Sequence, residues 1–204
     1  MGAVNPALIF IMPRKKEFIE NDVLIDAVDI FWSKGYSATS IQDLVSGLKI
    51  NRASLYDTFG GKKELFNKGF DWYCKGNAEN LQRLLLQYPD PKVGFKIILD
   101  KAIEESCSQN ENKGCFVVNT TTELLPGDAD VQSRIEESNE RVKSIFHQYL
   151  INGKKGGYLK TDVDLKSLAS FIFTFMNGLR VISTVDRSRE SLDSNAKLLL
   201  AMVY

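Results

Sequence analysis

The segment TSIQDLVSGLKINRASLYDTFGGKKELF, residues 39–66, constrains the fold most. It sets two short amphipathic patterns on either side of a break only a few residues long. Thr39 stands three residues before Gln42, a capping-box spacing, and Ile41, Leu44, Val45 and Leu48 follow at helical intervals. After the break, Asn51 suits a helix N-cap, Leu55 and Phe59 lie one turn apart, and Gly60 is a natural stop. Gly61 can then open a further helix, with Glu64 at its third position and Leu65, Phe66, Phe70 and Tyr73 continuing an apolar face toward Leu84–Leu86.

Two short helices joined by so tight a turn match the helix-turn-helix unit, whose second helix enters the major groove while the first braces it. With Leu55 and Phe59 facing inward, Arg52, Ala53, Tyr56 and Asp57 fall on the outer side, and Ser54 lies near the helix N-terminus. Between residues 49 and 63, Lys49, Arg52, Lys62 and Lys63 outnumber Asp57 by three charges in a chain whose 26 basic and 26 acidic side chains cancel. Any nucleic-acid contact must therefore be local. On these residues alone two readings stay open: a DNA-contacting face, or the solvated face of an ordinary helical bundle.

Upstream, Leu24, Ala27, Val28 and Phe31 place a first helix over 17–34, closed by Lys34 and Gly35. Downstream, helical patterns near 92–108, 115–125, 130–152, 163–184 and 190–203 are separated by Gly, Pro, Asn or Asp clusters, and no strand pattern interrupts them. The expected fold is all-α. Residues 1–12 read as a loose, disordered extension ahead of a natural start at Met12, residues 13–62 as the helix-turn-helix domain, and 63–204 as a larger helical domain reached through the long fourth helix.

The opening MGAVNPALIFIMP lacks a positive leader and is broken by Pro6 and Pro13, and no run of eighteen apolar residues follows, so a soluble cytoplasmic protein with no membrane partner is expected. Three cysteines and one histidine, His147, without paired metal-ligand spacing argue against a metal site, a disulfide framework or a bound cofactor. No paired carboxylates, phosphate-binding glycine loop or nucleophilic pair suggests an enzyme. His147 reads as structural or interfacial.

T-S-I-x-D-L, the break, and N-R-A-S-L-Y-D-T-F-G-x-K-x-E-L-F together resemble the N-terminal signature of TetR-family transcriptional regulators, over residues 17–73. Carried over residue by residue, the resemblance implies that Arg52, Ala53 and Ser54 face bases or nearby phosphates. Tyr56 and Lys62 would hold the DNA backbone, and Thr39 and Ser40 would meet phosphate. Helix N-termini, arginine and tyrosine suit those tasks chemically. The sequence departs from the family where Lys49 replaces a common turn glycine and Gly61 a common serine. A lysine at positive φ costs on the order of 1 kcal/mol, unless nearby Gly47 lets the turn take another path.

The resemblance further implies a homodimer through the last two helices, which would also cover Phe171-Ile172-Phe173-Thr174-Phe175-Met176, apolar on every side. It implies a small-molecule effector and a double-stranded DNA operator, with repression the commoner mode and the fourth helix as lever. The alternative is a ligand-binding or scaffold protein that has lost DNA binding. Gly114-Cys115-Phe116-Val117-Val118-Asn119-Thr120 resembles, more weakly, a glycine-cysteine stretch that borders the ligand cavity in one branch of the family. Tyr73, Cys115, Phe116, Asn119, Glu123, Phe171 and Phe175 are accordingly cavity candidates, with plain core packing the competing role. Cys115 could instead sense electrophiles or oxidants from a helix N-terminus, or simply be a buried structural thiol.

Overall fold

In the computed structural model, residues 20–108, 113–159 and 161–203 are described. The expected extension at 1–12 and the first turn of the helix expected from residue 17 lie outside them. Every regular element among the described residues is a helix. They run α1 Glu20–Lys34, α2 Ile41–Leu48, α3 Arg52–Phe59, α4 Lys62–Leu86, α5 Pro91–Cys107, α6 Phe116–Leu124, α7 Ala129–Lys155, α8 Leu165–Ile182 and α9 Arg189–Val203.

The caps explain most of the boundaries. Asn51 Oδ1 accepts from the Ser54 amide at 2.8 Å, opening α3, and Asp90, Asp128 and Asp164 likewise accept first-turn amides of α5, α7 and α8. At α2 the expected capping box shifts by one residue. Ser40, not Thr39, is the N-cap, and its partner is Asp43 rather than Gln42: Ser40 Oγ accepts from Asp43 N at 3.1 Å while Asp43 Oδ2 accepts from Ser40 N at 2.9 Å. Thr39 is buried and its hydroxyl donates to the Gly35 carbonyl at 2.6 Å, sealing the end of α1. Lys34 pairs with Asp43 at 2.7 Å, and the Lys34 and Ser40 contacts hold that carboxyl well below the usual range.

The turn between α2 and α3 takes no alternative path around Lys49. Lys49 adopts the left-handed region, φ 53° and ψ 32°, as the C-cap of α2. Gly47 instead sits inside α2, where an added Cβ would come within 2.6 Å of Ile30 Cδ1 on α1. Its lack of a side chain serves the close approach of α1 and α2, not the turn.

Two cores follow. One gathers Val23, Ala27, Val28 and Phe31 of α1, Leu44 and Leu48 of α2, Leu55 and Phe59 of α3, and Leu65, Phe66 and Phe70 of α4. The same core also takes in Phe116 of α6 and Val131 and Ile135 of α7, so the residues ascribed to 13–62 share an interior with helices far downstream. The other joins α5, the second half of α7, α8 and α9 around Phe95, Leu99, Phe146, Leu150, Ile172 and Leu199. α4 and α7 run through both. α8 is the one described helix long and apolar enough by composition to cross a membrane; it packs against α5, α7 and α9, and Lys166, Asn177 and Arg180 interrupt its apolar length.

Candidate nucleic-acid interface and ligand cavity

α3 stands on Leu55 and Phe59, both buried, and turns Arg52, Ala53, Tyr56 and Asp57 to solvent, with Ser54 half-buried behind its Asn51 cap. Tyr56 is 43% exposed, and the Arg52 guanidinium lies 5.8 Å from its ring centroid, so the two side chains form one projecting surface. Ser40 is exposed at the start of α2 beside the first two amides of that helix, which by position have no acceptor within it. The exposed Lys49 at the turn adds positive charge to the same side. Thr39 cannot share this task through its side chain, which faces inward. Lys62 is half-buried, its ammonium 4.3 Å from the Tyr36 ring centroid.

Behind this face polar contacts tie α1 and the α1–α2 loop to α6 and the segment before it, and α4 to the start of α7. Glu123, near the end of α6, accepts from the Tyr36 and Ser37 amides at 2.9 and 2.7 Å. Partial burial pulls its pKa upward, but the Ser37 and Tyr36 amides together with Lys62 outweigh it and hold the carboxyl below its ordinary value. Trp32 Nε1 donates to the Lys113 carbonyl at 3.0 Å, Lys113 pairs with Asp29 at 2.6 Å, Lys63 pairs with Asp128, and Arg134 with Asp71.

A hollow of about 130 Å³ lies between α4, α5, α6, α7 and α8. Leu81, Ile98, Val117, Val142, Phe146, Phe173 and Met176 give it apolar walls, Cys74 and Cys115 bring two thiols, and Asn77, Ser138, Asn139, Asn177 and Arg180 bring polar groups. Of the seven cavity candidates read from the sequence, this hollow contains Cys115. Tyr73 points into the other core, against Trp32 and Phe116, and burial raises its phenol pKa. Phe116 belongs to that core as well. Asn119 donates to the Lys113 carbonyl at 2.8 Å, and Glu123 grips the α1–α2 loop. Phe171 is 44% exposed on the outer side of α8, and Phe175 packs against the second core away from the hollow.

These displacements are matters of helical phase. On α8 the hollow takes Phe173, Met176, Asn177 and Arg180, spaced i, i+3, i+4 and i+7, whereas Phe171 and Phe175 lie about a third of a turn or more away. On α4, Cys74 replaces Tyr73, and burial pushes its thiol up to about 11, making it a poor nucleophile. Asn177 and Arg180, set one turn apart on a largely apolar α8, were the signal that could have located the wall.

α8 and α9 leave Phe171, Val181, Ile182 and Leu198 exposed, with Val185 just beyond α8. So many large apolar groups on one pair of helices need a cover.

The chain matches two family models: "Bacterial regulatory proteins, tetR family" over residues 24–68, and "Tetracyclin repressor-like, C-terminal domain" over residues 97–199. It is 30% identical over 195 residues to the uncharacterized HTH-type transcriptional regulator YezE of Bacillus subtilis, spanning 94% of this chain and 100% of the relative. The chain belongs to the TetR family. It is 27% identical to the HTH-type transcriptional repressor ComR of Escherichia coli, over 88% of this chain and 86% of that one. Among solved structures, the TetR family regulator CifR, as a cysteine mutant complexed with 26-bp operator DNA, superposes with a TM-score of 0.81 at 26% identity, over 92% of this chain and 98% of that one. As a TetR-family member this protein is a DNA-binding transcriptional regulator. The helix-turn-helix seen in 39–66 lies within the stretch matched by the first family model, and family architecture makes the protein a dimer that answers to a small molecule.

Proposed function

We propose that the dimer represses transcription by seating its two α3 helices on successive major-groove turns of an operator, and that a small organic molecule in the α4–α8 hollow releases it. The observation that carries this reading is the double duty of α6. Its N-terminal end supplies Cys115 and Val117 to the hollow, while its C-terminal end supplies the Glu123 carboxylate that fixes the α1–α2 loop. α4 makes a second link, carrying Cys74, Asn77 and Leu81 to the hollow and Leu65 and Phe66 to the DNA-binding core. A molecule that binds better to a conformer with shifted α6 and α4 changes the spacing of the two α3 helices, and only that difference in affinity moves the population.

Within this reading residues 13–62 read the DNA and 63–204 bind ligand and dimerise, with α6 and the start of α7 serving both. Arg52, Ala53 and Ser54 face bases or adjacent phosphates, Tyr56 and Ser40 hold the backbone, and Lys62 adds positive potential from its seat on Tyr36. Exposed α8 and α9 form the subunit interface, which sets the two α3 helices about 34 Å apart or a multiple of that. Work at an operator places the protein in the cytoplasm.

The test is a mobility-shift titration with DNA from the protein's own promoter region, wild type against Arg52→Ala and Tyr56→Phe. Weaker binding by both variants is the expected result. Binding by the wild type to no promoter fragment would instead favour a ligand-binding protein that has lost its operator.

A further inference from the structure

The hollow between α4 and α8 has an uneven chemistry. Of the fourteen side chains that line it, Arg180 alone carries a charge. Its guanidinium makes no ion pair with a described carboxylate and no side-chain hydrogen bond among the described residues. Arg180 also borders two larger hollows, of about 220 and 390 Å³, whose lining includes Glu105, and no ion pair joins the two side chains. A half-buried guanidinium beside Phe173, Met176, Phe146 and Val142 offers five donors with a planar fork and meets no anion from the protein. Surface arginines are satisfied by water. One that forms part of a largely apolar wall gains from an anion that shares its partly dehydrated setting.

The other polar groups fit the same occupant. Asn177 lies three residues before Arg180 on the same face of α8, and Asn77 of α4 and Ser138 and Asn139 of α7 also border the space. Amides and a hydroxyl can donate to the oxygens of a bound group without bringing a competing negative charge. No acidic side chain lines this hollow.

Size limits the rest of the molecule. An apolar cavity of roughly 150 Å³ accepts benzene, and this one is about 130 Å³. Its inner part therefore takes one ring or a short aliphatic chain.

Resting on the reading of this hollow as the effector site, the geometry points to a small organic monocarboxylate as the effector class, its carboxylate on Arg180 and its apolar body between Phe146, Val142, Phe173 and Met176. Charge complementarity selects the acid over its neutral isostere, and the apolar walls select a hydrocarbon body over a sugar or a dicarboxylate.

Matched pairs test this directly: benzoate against benzamide, phenylacetate against phenylacetamide, and hexanoate against hexanamide. Each is titrated calorimetrically into the full-length wild-type dimer and into Arg180→Gln. At least one acid should bind wild type about ten- to a hundredfold more tightly than its amide, the ratio expected when a charge-assisted bond is gained. Arg180→Gln should remove that preference, and Val142→Trp, which keeps the guanidinium but fills the space, should abolish binding of the acid. Equal affinity for acid and amide, an acid preference that survives Arg180→Gln, or no binding of any acid at millimolar concentration overturns the inference. The wild-type comparison decides the matter even if Arg180→Gln does not fold. Mobility shifts with the same compounds separate this inference from the reading beneath it. Amides that release operator as well as acids do leave ligand release standing and remove the anion. Acids that bind through Arg180 without disturbing the operator complex do the reverse.

Discussion

Replacing Lys49 by glycine should make the protein more stable and its operator complex weaker. Lys49 holds φ 53° and ψ 32°, and the neighbouring Gly47 does not relieve it because that glycine is committed to the contact with Ile30. A residue with a Cβ in the left-handed region costs about 1–2 kcal/mol. Glycine removes that cost but loses about 0.4–1 kcal/mol to the greater freedom of its unfolded chain. The difference is a net gain of about 0.5–1 kcal/mol, which for a chain of this size raises the melting temperature by about 1–4 °C. Lys49→Ala is the control, since it removes the same charge and keeps the strain. Both variants should bind operator more weakly than wild type, with a salt slope shallower by about one if the ammonium meets a phosphate. Melting curves at one fixed protein concentration, needed because the protein is a dimer, should place Lys49→Gly above Lys49→Ala. A glycine variant that melts no higher than the alanine variant would refute the assignment of strain to this turn.

Lys62→Ala should reduce the salt slope of operator binding by about one if its ammonium leaves Tyr36 for a phosphate, whereas Tyr56→Phe should weaken binding with the slope unchanged; an unchanged titration across a salt series removes either residue from the contact set. Glu123→Ala should cost about 1–2 kcal/mol, two charge-assisted bonds discounted for exposure, and lower the melting temperature by about 2–8 °C. Because the folded Glu123 carboxyl titrates below its ordinary value, wild type's advantage over that variant is fully present above the ordinary glutamate range and is lost as pH falls through the folded pKa. A gap that stays constant into strong acid would mean that the ionised form is not what grips the loop. Ile182→Asp, on the exposed side of α8, should give monomers by light scattering and abolish operator binding; a dimer that survives would place the interface elsewhere.

Much of the fold was legible because it is local. Helix periodicity, the Asn51 cap, the Gly60 stop and the prolines at 89 and 91 act within a few residues of themselves, so the helix boundaries expected from the sequence fall within a few residues of those observed. The cap of α2 was misplaced by one position because Thr39 and Ser40 are both competent, and their roles differ through Gly35, whose carbonyl Thr39 reaches only after α1 has ended. The outward set on α3 was readable for the same local reason: Leu55 and Phe59 define its inner side.

The sequence by itself thus determined the all-α class, the helix-turn-helix and the face it presents, since each depends on spacing along a single segment. Only the tertiary structure decided what lines the hollow, because that depends on the relative rotation of five helices, and a rotation of one residue exchanges Tyr73 for Cys74. It also decided that Glu123 belongs to the DNA-binding unit rather than to the cavity: its partners are backbone amides 86 and 87 residues away, which no side-chain pattern records.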